Sequence, residues 1–467
     1  MIKHPKRKNL FYYLKRLLVL GVLIRLSMYT LNLWNFNGQI DAEKILDESL
    51  LKNKTFNAEV KKIESGLLSA YFMEEHSNPI VSVSFTFTNA GSAHDEKGKY
   101  GLALTAASLL TDGAGDFSES EFNEVAEENG VKLGFSVSAD DFSGEIAFPS
   151  QNKDIAVQLL QAALTAPRVE DKYLNNFKNK MRNARLKQQE NPSLLLQKKF
   201  AENIFAGHPY SRNRLGKEQD MENLKREDVL EFVKNYLAQD NLKVGIVGDI
   251  SENEAKKLLN ELFGGLTEKS LGTPLPKINF SADGVEYNTK RKSAQVLTSL
   301  AAKGTSRNSD DFYPLYLANY ILGGNGLSSR LSKVIREKEG LTYGVYTYLS
   351  DREAVALIGG GFSATPENFG KAQQLLKEEW LKMGQNGVTE MELNDAKKSL
   401  INSFYLRFAA INNISEMLVA MQKYNLGLDF LVKRNDYIRQ VSLEDVNEAA
   451  KKYFSTIPDF VNVGMDN

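Results

Sequence analysis

The strongest constraint on this chain is that its two halves repeat. Residues 227–237 (EDVLEFVKNYL) and 444–454 (EDVNEAAKKYF) share Glu, Asp, Val, Glu, Lys and Tyr at a constant offset of 217 residues. Each precedes an apolar, strand-like stretch that closes on a glycine and an aspartate, 242–249 and 460–466. Upstream, 169–181 and 388–400 align at an offset of 219, through Val169/Val388, Leu174/Leu393, Asn175/Asn394 and Lys178/Lys397. A period this long means two pseudo-equivalent domains of about 210 residues, not a solenoid. Residues 266–279 (LTEKSLGTPLPKIN) hold Gly272, Pro274 and Pro276 and no helical period, which reads as a linker. The expected organisation is a domain over 56–265, a linker over 266–279 and a second domain over 280–467.

Within each half the patterns are mixed. Residues 81–88 (VSVSFTFT) alternate apolar and polar, which predicts a half-buried strand. Residues 131–138 and 143–148 suggest further strands, while 154–166 and 311–322 carry apolar residues at helical spacing. The expected class is α+β: two duplicated domains, each an antiparallel-rich sheet covered by helices on one face.

Composition narrows the function. With 58 basic and 59 acidic residues the net charge is −1, which argues against a nucleic-acid partner. The chain has no cysteine, so disulfides, thiolate metal sites and cysteine nucleophiles are excluded. Residues 1–40 differ from the rest. They carry Lys3, Lys6, Arg7, Lys8, Lys15, Arg16 and Arg25, and no acid. The apolar run 17–24 is far shorter than the ~20 residues that span a bilayer, but mostly apolar sequence continues past Arg25. This reads as an export signal, or as an uncleaved anchor, since no small-x-small cleavage site follows. The implied location is the bacterial periplasm, tethered to the inner membrane through the N-terminus. A mitochondrial presequence and a plain basic tail are the alternatives.

Three segments carry a family likeness: 81–113, 208–216 (HPYSRNRLG) and 321–350 (ILGGNGLSSRLSKVIREKEGLTYGVYTYLS). They resemble the insulinase and mitochondrial-processing-peptidase family of metallopeptidases, M16. That resemblance implies an H-x-x-E-H zinc motif on the helix after the first strand, with two His ligands and a Glu general base. The matching stretch here is 104–108, with Leu104 and Ser108 at the ligand positions and Ala107 at the base. No histidine lies between His94 and His208. The family's third ligand is a Glu on a later helix. Here 172–189 contains no acid and six bases: Lys172, Lys178, Lys180, Arg182, Arg185 and Lys187. No metal is therefore expected on this chain. His94-Asp95-Glu96 reads as a solvated turn, and His208, before Pro209, as a structural loop residue.

The second half keeps Arg336 and Tyr343, in REKEGLTY. In active relatives such a pair reaches the substrate at the zinc site, where a guanidinium and a phenol hydrogen-bond the scissile peptide and its oxyanion. Alternatively, Arg336 pairs with Glu337 or Glu339 and Tyr343 packs in a strand. Gly323–Gly326 reads as a helix-ending turn rather than a phosphate loop, and the glycines at 359–361 as a place of close backbone approach. The resemblance implies a substrate-binding subunit that is inactive alone. It would pair with a zinc-bearing paralogue, supply Arg336 and Tyr343 to the partner's active site, and act on unfolded peptides. The alternative is a non-enzymatic scaffold or peptide-binding homologue.

Overall fold

The computed structural model describes residues 59–465. The basic, apolar start over 1–40 lies outside the described residues. Among those described, no helix is long and apolar enough to cross a membrane.

The first half runs β1 (Lys61–Ser65), β2 (Leu68–Glu74), β3 (Ile80–Phe87), α1 (Leu102–Leu109), α2 (Glu119–Glu128), β4 (Lys132–Val137), β5 (Phe142–Pro149), α3 (Lys153–Thr165), α4 (Asp171–Glu190), α5 (Pro192–Ile204), α6 (Glu218–Asn223), α7 (Arg226–Tyr236), β6 (Leu242–Gly248) and α8 (Glu252–Phe263). The second continues with β7 (Glu286–Lys290), β8 (Val296–Lys303) and α9 (Phe312–Asn319). Two wide π-helical turns follow, Tyr320–Gly324 and Ser332–Lys338. The half then closes with β9 (Val345–Asp351), β10 (Ala356–Ala364), α10 (Pro366–Asn386), α11 (Glu390–Phe404), α12 (Ile411–Lys423), α13 (Phe430–Gln440), α14 (Leu443–Tyr453) and β11 (Asp459–Met465).

The duplication is written in the sheets. The first has order β1-β2-β6-β3-β5-β4 and the second β7-β11-β8-β10-β9. Each has one parallel pair, β2 with β6 and β7 with β11, among antiparallel ones. The repeated sequences fall on equivalent elements: α7 with α14, β6 with β11, and α4 with α11. Local chemistry starts the helices where the sequence allows it. Thr389 and Glu392 form a reciprocal capping box on α11, as do Ser442 and Asp445 on α14.

The α+β class and the two duplicated sheet-and-helix domains are as expected, and each half in addition lends a helix to the other. Val81, Val83, Phe85 and Phe87 of β3 face the first core. The intervening Ser82, Ser84 and Thr86 are buried too, so β3 is not half-buried. Their cover is α12, from the second half. Ser415 Oγ lies 3.0 Å from Ser82 Oγ and 2.7 Å from Ser84 Oγ, and Gln422 Nε2 donates to Val244 O. Reciprocally, α5 lays Leu196 and Ile204 against Leu297, Ala301, Val461 and Val463 of the second sheet. The face opposite, with Val296, Leu300 and Phe460, packs on the second half's own helices. The chain between the halves has no helix or strand over 268–285. It is tied down by Leu271 N–H to Asn235 O (2.8 Å) and Ile278 N–H to Ala354 O (2.9 Å).

Candidate functional site

Helix α1 begins on Gly101, at φ +99°. The carboxylate of Asp95 accepts from the Gly101 and Ala103 N–H groups, at 2.7 and 2.9 Å, and so satisfies donors that a helix start leaves open. Asp95 is only 5 % exposed, and burial pushes its carboxyl up to about 7 against the pull of those bonds. The side chain of its neighbour His94 is also covered, with Nε2 3.2 Å from Glu353 Oε2. The turn read as solvated is therefore a buried cap and an interdomain contact. His208 is structural as expected. Tyr210 N–H donates to its Nδ1, so Nε2 carries the proton and bonds Pro276 O at 3.0 Å.

On α1, Leu104 and Ser108 lie one turn apart on a half-buried face, and Ala107 is buried. The helical spacing of two ligands survives, but Leu104 has no donor atom and Ser108 offers a neutral hydroxyl in place of an imidazole. Helix α4 packs against α1. Its cations are engaged elsewhere: Arg182 pairs with Glu222, Lys178 donates to Glu222 O at 2.9 Å, and Arg185 to Leu215 O at 3.0 Å. Among the described residues no three His, Asp or Glu side chains gather in a metal-holding group. The residues present do not fit a zinc ion.

The second half is built differently. The turn Ser332–Lys338 carries Arg336 outward. It closes at Gly340, whose φ of +65° few other residues adopt; Gly340 N–H bonds Arg336 O at 3.1 Å and Leu341 N–H reaches Ile335 O at 3.0 Å. Thr342 then pins the loop, its Oγ1 donating to Ser363 O at 2.6 Å and accepting from Gly344 N–H at 3.1 Å. Between these anchors Tyr343 is 83 % exposed. Arg336 makes no side-chain hydrogen bond or ion pair among the described residues, and Glu339 is taken by Lys371. Pairing within the turn and packing in a strand therefore do not account for this Arg and Tyr. No hydrogen bond, ion pair or ring contact joins them to Leu104 or Ser108.

One residue of the same segment went unrecognised in the sequence. Arg330 holds Glu392 with both arms, Nε to Oε1 and a terminal nitrogen to Oε2, each 2.7 Å, and bonds Gly387 O at 3.0 Å. This fork clamps the loop before Arg336 onto the start of α11. Beside Arg330, the Thr389 N–H and hydroxyl also hold Glu392, at about 2 instead of 4.5. A depressed carboxylate stabilises the fold above its unfolded pKa and loses that contribution as pH falls. The pair is partly exposed, so its worth after solvent screening is about 1 kcal/mol. Arg330→Ala is expected to lower the melting temperature at pH 7 and to flatten its decline between pH 4.5 and 2. Parallel melting curves against pH check this.

The glycines of β10 also have a definite tenant. Gly359 lies opposite Tyr348 in the ladder, and a Cβ on it would stand 2.6 Å from the Tyr348 ring. At Gly359 the neighbour is thus an aromatic ring, stacked in turn on Tyr346 at 6.2 Å, whereas at Gly360 and Gly361 it is backbone as expected, Tyr346 O and Thr298 O standing 2.5 and 2.4 Å from an added Cβ.

A protein of Helicobacter pylori named "Non-peptidase homolog YmxG" is 25 % identical over 395 residues, 84 % of this chain and 90 % of that one. The "Uncharacterized zinc protease YmxG" of Bacillus subtilis is 27 % identical over 269 residues, 56 % of this chain and 62 % of that one. The crystal structure of a peptidase M16 inactive domain from Pseudomonas fluorescens superposes with a TM-score of 0.81 at 24 % identity, covering 87 % of this chain and 98 % of that one. Residues 71–218 match "Insulinase (Peptidase family M16)" and residues 223–400 match "Peptidase M16 inactive domain", and the chain belongs to the M16 family of peptidases.

Proposed function

We propose that this chain is the non-catalytic, substrate-binding subunit of a two-chain M16 peptidase. Its partner is a zinc-bearing paralogue, and its substrates are unfolded peptides. The observation that carries the reading is that Tyr343 and Arg336 are both exposed, Arg336 with no ion pair among the described residues, on a segment otherwise pinned at both ends. A scaffold needs neither side chain there. An exposed guanidinium and phenol are suited to hold a peptide backbone and the oxyanion formed from it. The partner supplies the metal and its activated water. This chain supplies donors that orient the substrate across the joint site. The H. pylori relative, named a non-peptidase homologue, fits a chain without zinc chemistry of its own. The basic start favours a membrane-tethered, periplasmic setting.

Purified native protein tests the reading. The isolated chain is expected to carry no zinc and to cleave no peptide, and the mixture with an H-x-x-E-H paralogue to cleave unfolded peptides. Stoichiometric zinc in the isolated chain overturns it, as does a stable complex whose peptidase activity equals that of the paralogue alone.

A further inference from the structure

A cavity of 870 Å³ lies in the second half, between α9, β9, α11 and the exchanged helix α12. Its size suits a small ligand or one residue of a larger one. Eight aromatic rings line it, and three arginines converge on it: Arg307, Arg407 and Arg434. The Arg307 guanidinium is boxed by the rings of Phe312, Tyr424 and Phe430, at 5.3 to 5.6 Å. Arg434 stacks on Phe404 at 4.5 Å. Arg307 and Arg434 both pull the Tyr313 phenol down against its burial, and the charge of Arg407 works against that of Arg434. Three like charges thus share one wall.

Two acids also line the cavity. Asp351 Oδ2 accepts from the Arg307 backbone N–H at 2.8 Å and from Ser306 Oγ. The Glu416 carboxyl is pushed up by burial and by Glu145. Among the described residues, two of the five buried side-chain N or O atoms without a hydrogen bond belong to this wall: Arg307 Nε and Asn319 Oδ1. Asn319 is 3 % exposed. Such orphans are rare in folded proteins and each calls for a reason.

We propose that this cavity captures the last residue of a peptide when that residue is aromatic. Its carboxylate would lie against Arg307 and Arg407, its amide N–H would serve Asn319 Oδ1, and its ring would rest among the aromatic walls. The free carboxylate matches the arginine fork, and an N–H donor matches an unpartnered carbonyl oxygen. The inference deepens the reading above by naming a class of peptide. It rests on that reading only in taking a peptide as the ligand, and neither a partner chain nor zinc enters it.

The test is direct binding to the full chain, by calorimetry and ligand-observed NMR. The probes are N-acetyl-phenylalanine, its amide, N-acetyl-leucine and inorganic phosphate. The acid is expected to bind at least about tenfold tighter than the amide or the leucine analogue. Arg407→Gln, at an exposed position that makes no side-chain hydrogen bond among the described residues, is expected to weaken the acid about tenfold and leave the amide unchanged. Arg307→Gln should act likewise if it folds. Arg336→Ala should change nothing here, which separates this proposal from the shared active site. Equal binding of acid and amide, phosphate binding as tight as the acid, or no binding of any probe overturns the proposal.

Discussion

Arg336→Ala is expected to lower the turnover of the proposed two-chain complex by about 10²- to 10³-fold while leaving this chain folded. The magnitude is that of removing one preorganised donor from a developing oxyanion. The fold should be spared because the side chain is exposed and holds no partner among the described residues. The turn that carries it is built from backbone bonds at Gly340 and Leu341 and from the Arg330–Glu392 fork. The split of the loss is informative. A donor used only in the transition state lowers kcat with KM unchanged, whereas a donor that merely holds the substrate raises KM. Arg336→Lys keeps the charge but not the planar fork, so it should recover only part of the rate. Tyr343→Phe, which removes one hydroxyl, should be milder than Arg336→Ala. Steady-state kinetics on the complex, with a melting curve of the variant chain alone, decide the matter. Unchanged turnover would show that Arg336 faces no substrate, and a collapsed melting temperature would make it a structural residue.

Much of this was legible in the chain because it is recorded locally. Helices α7 and α14 announce themselves by a shared surface pattern, and the strand after each by its apolar run. The expectation that this chain holds no zinc rested on three side chains on one turn of α1: Leu104, Ala107 and Ser108. What escaped depends on partners far along the chain. The alternation of β3 looks the same whether its serines meet water or a helix. Only the fold brings Ser415, 331 residues away, to Ser84. His94 and Asp95 look like a charged turn until Glu353 and the start of α1 close over them. Arg330 reads as one more surface cation, because nothing nearby in sequence shows that Glu392 lies within reach of its fork.

Gly245→Ala is expected to destabilise the whole chain by about 3 kcal/mol or more, although glycine to alanine within a strand ordinarily helps. Gly245 lies in the middle of β6, beneath the exchanged helix α12. A Cβ there would stand 2.2 Å from Ser415 O and 2.8 Å from Leu418 Cβ. Both belong to a packed helix rather than to the end of a flexible side chain, so α12 would have to lift. Overpacking of this kind costs about 1–3 kcal/mol by itself. Lifting α12 also breaks the Ser415 bonds to Ser82 and Ser84, at about 1 kcal/mol each, and bares hydroxyls that are otherwise buried. Because α12 belongs to the second half and β6 to the first, the damage should appear as one transition shifted downward, not as melting of the first half alone. Gly134→Ala is the control. It too is a strand glycine of the first sheet, on β4, but with nothing within 4 Å of the added atom, and it should melt with the parent. Calorimetric melting of the two variants beside the parent gives the answer. If Gly245→Ala melts with Gly134→Ala, α12 does not rest on β6, and the helix exchange that joins the two halves is wrong.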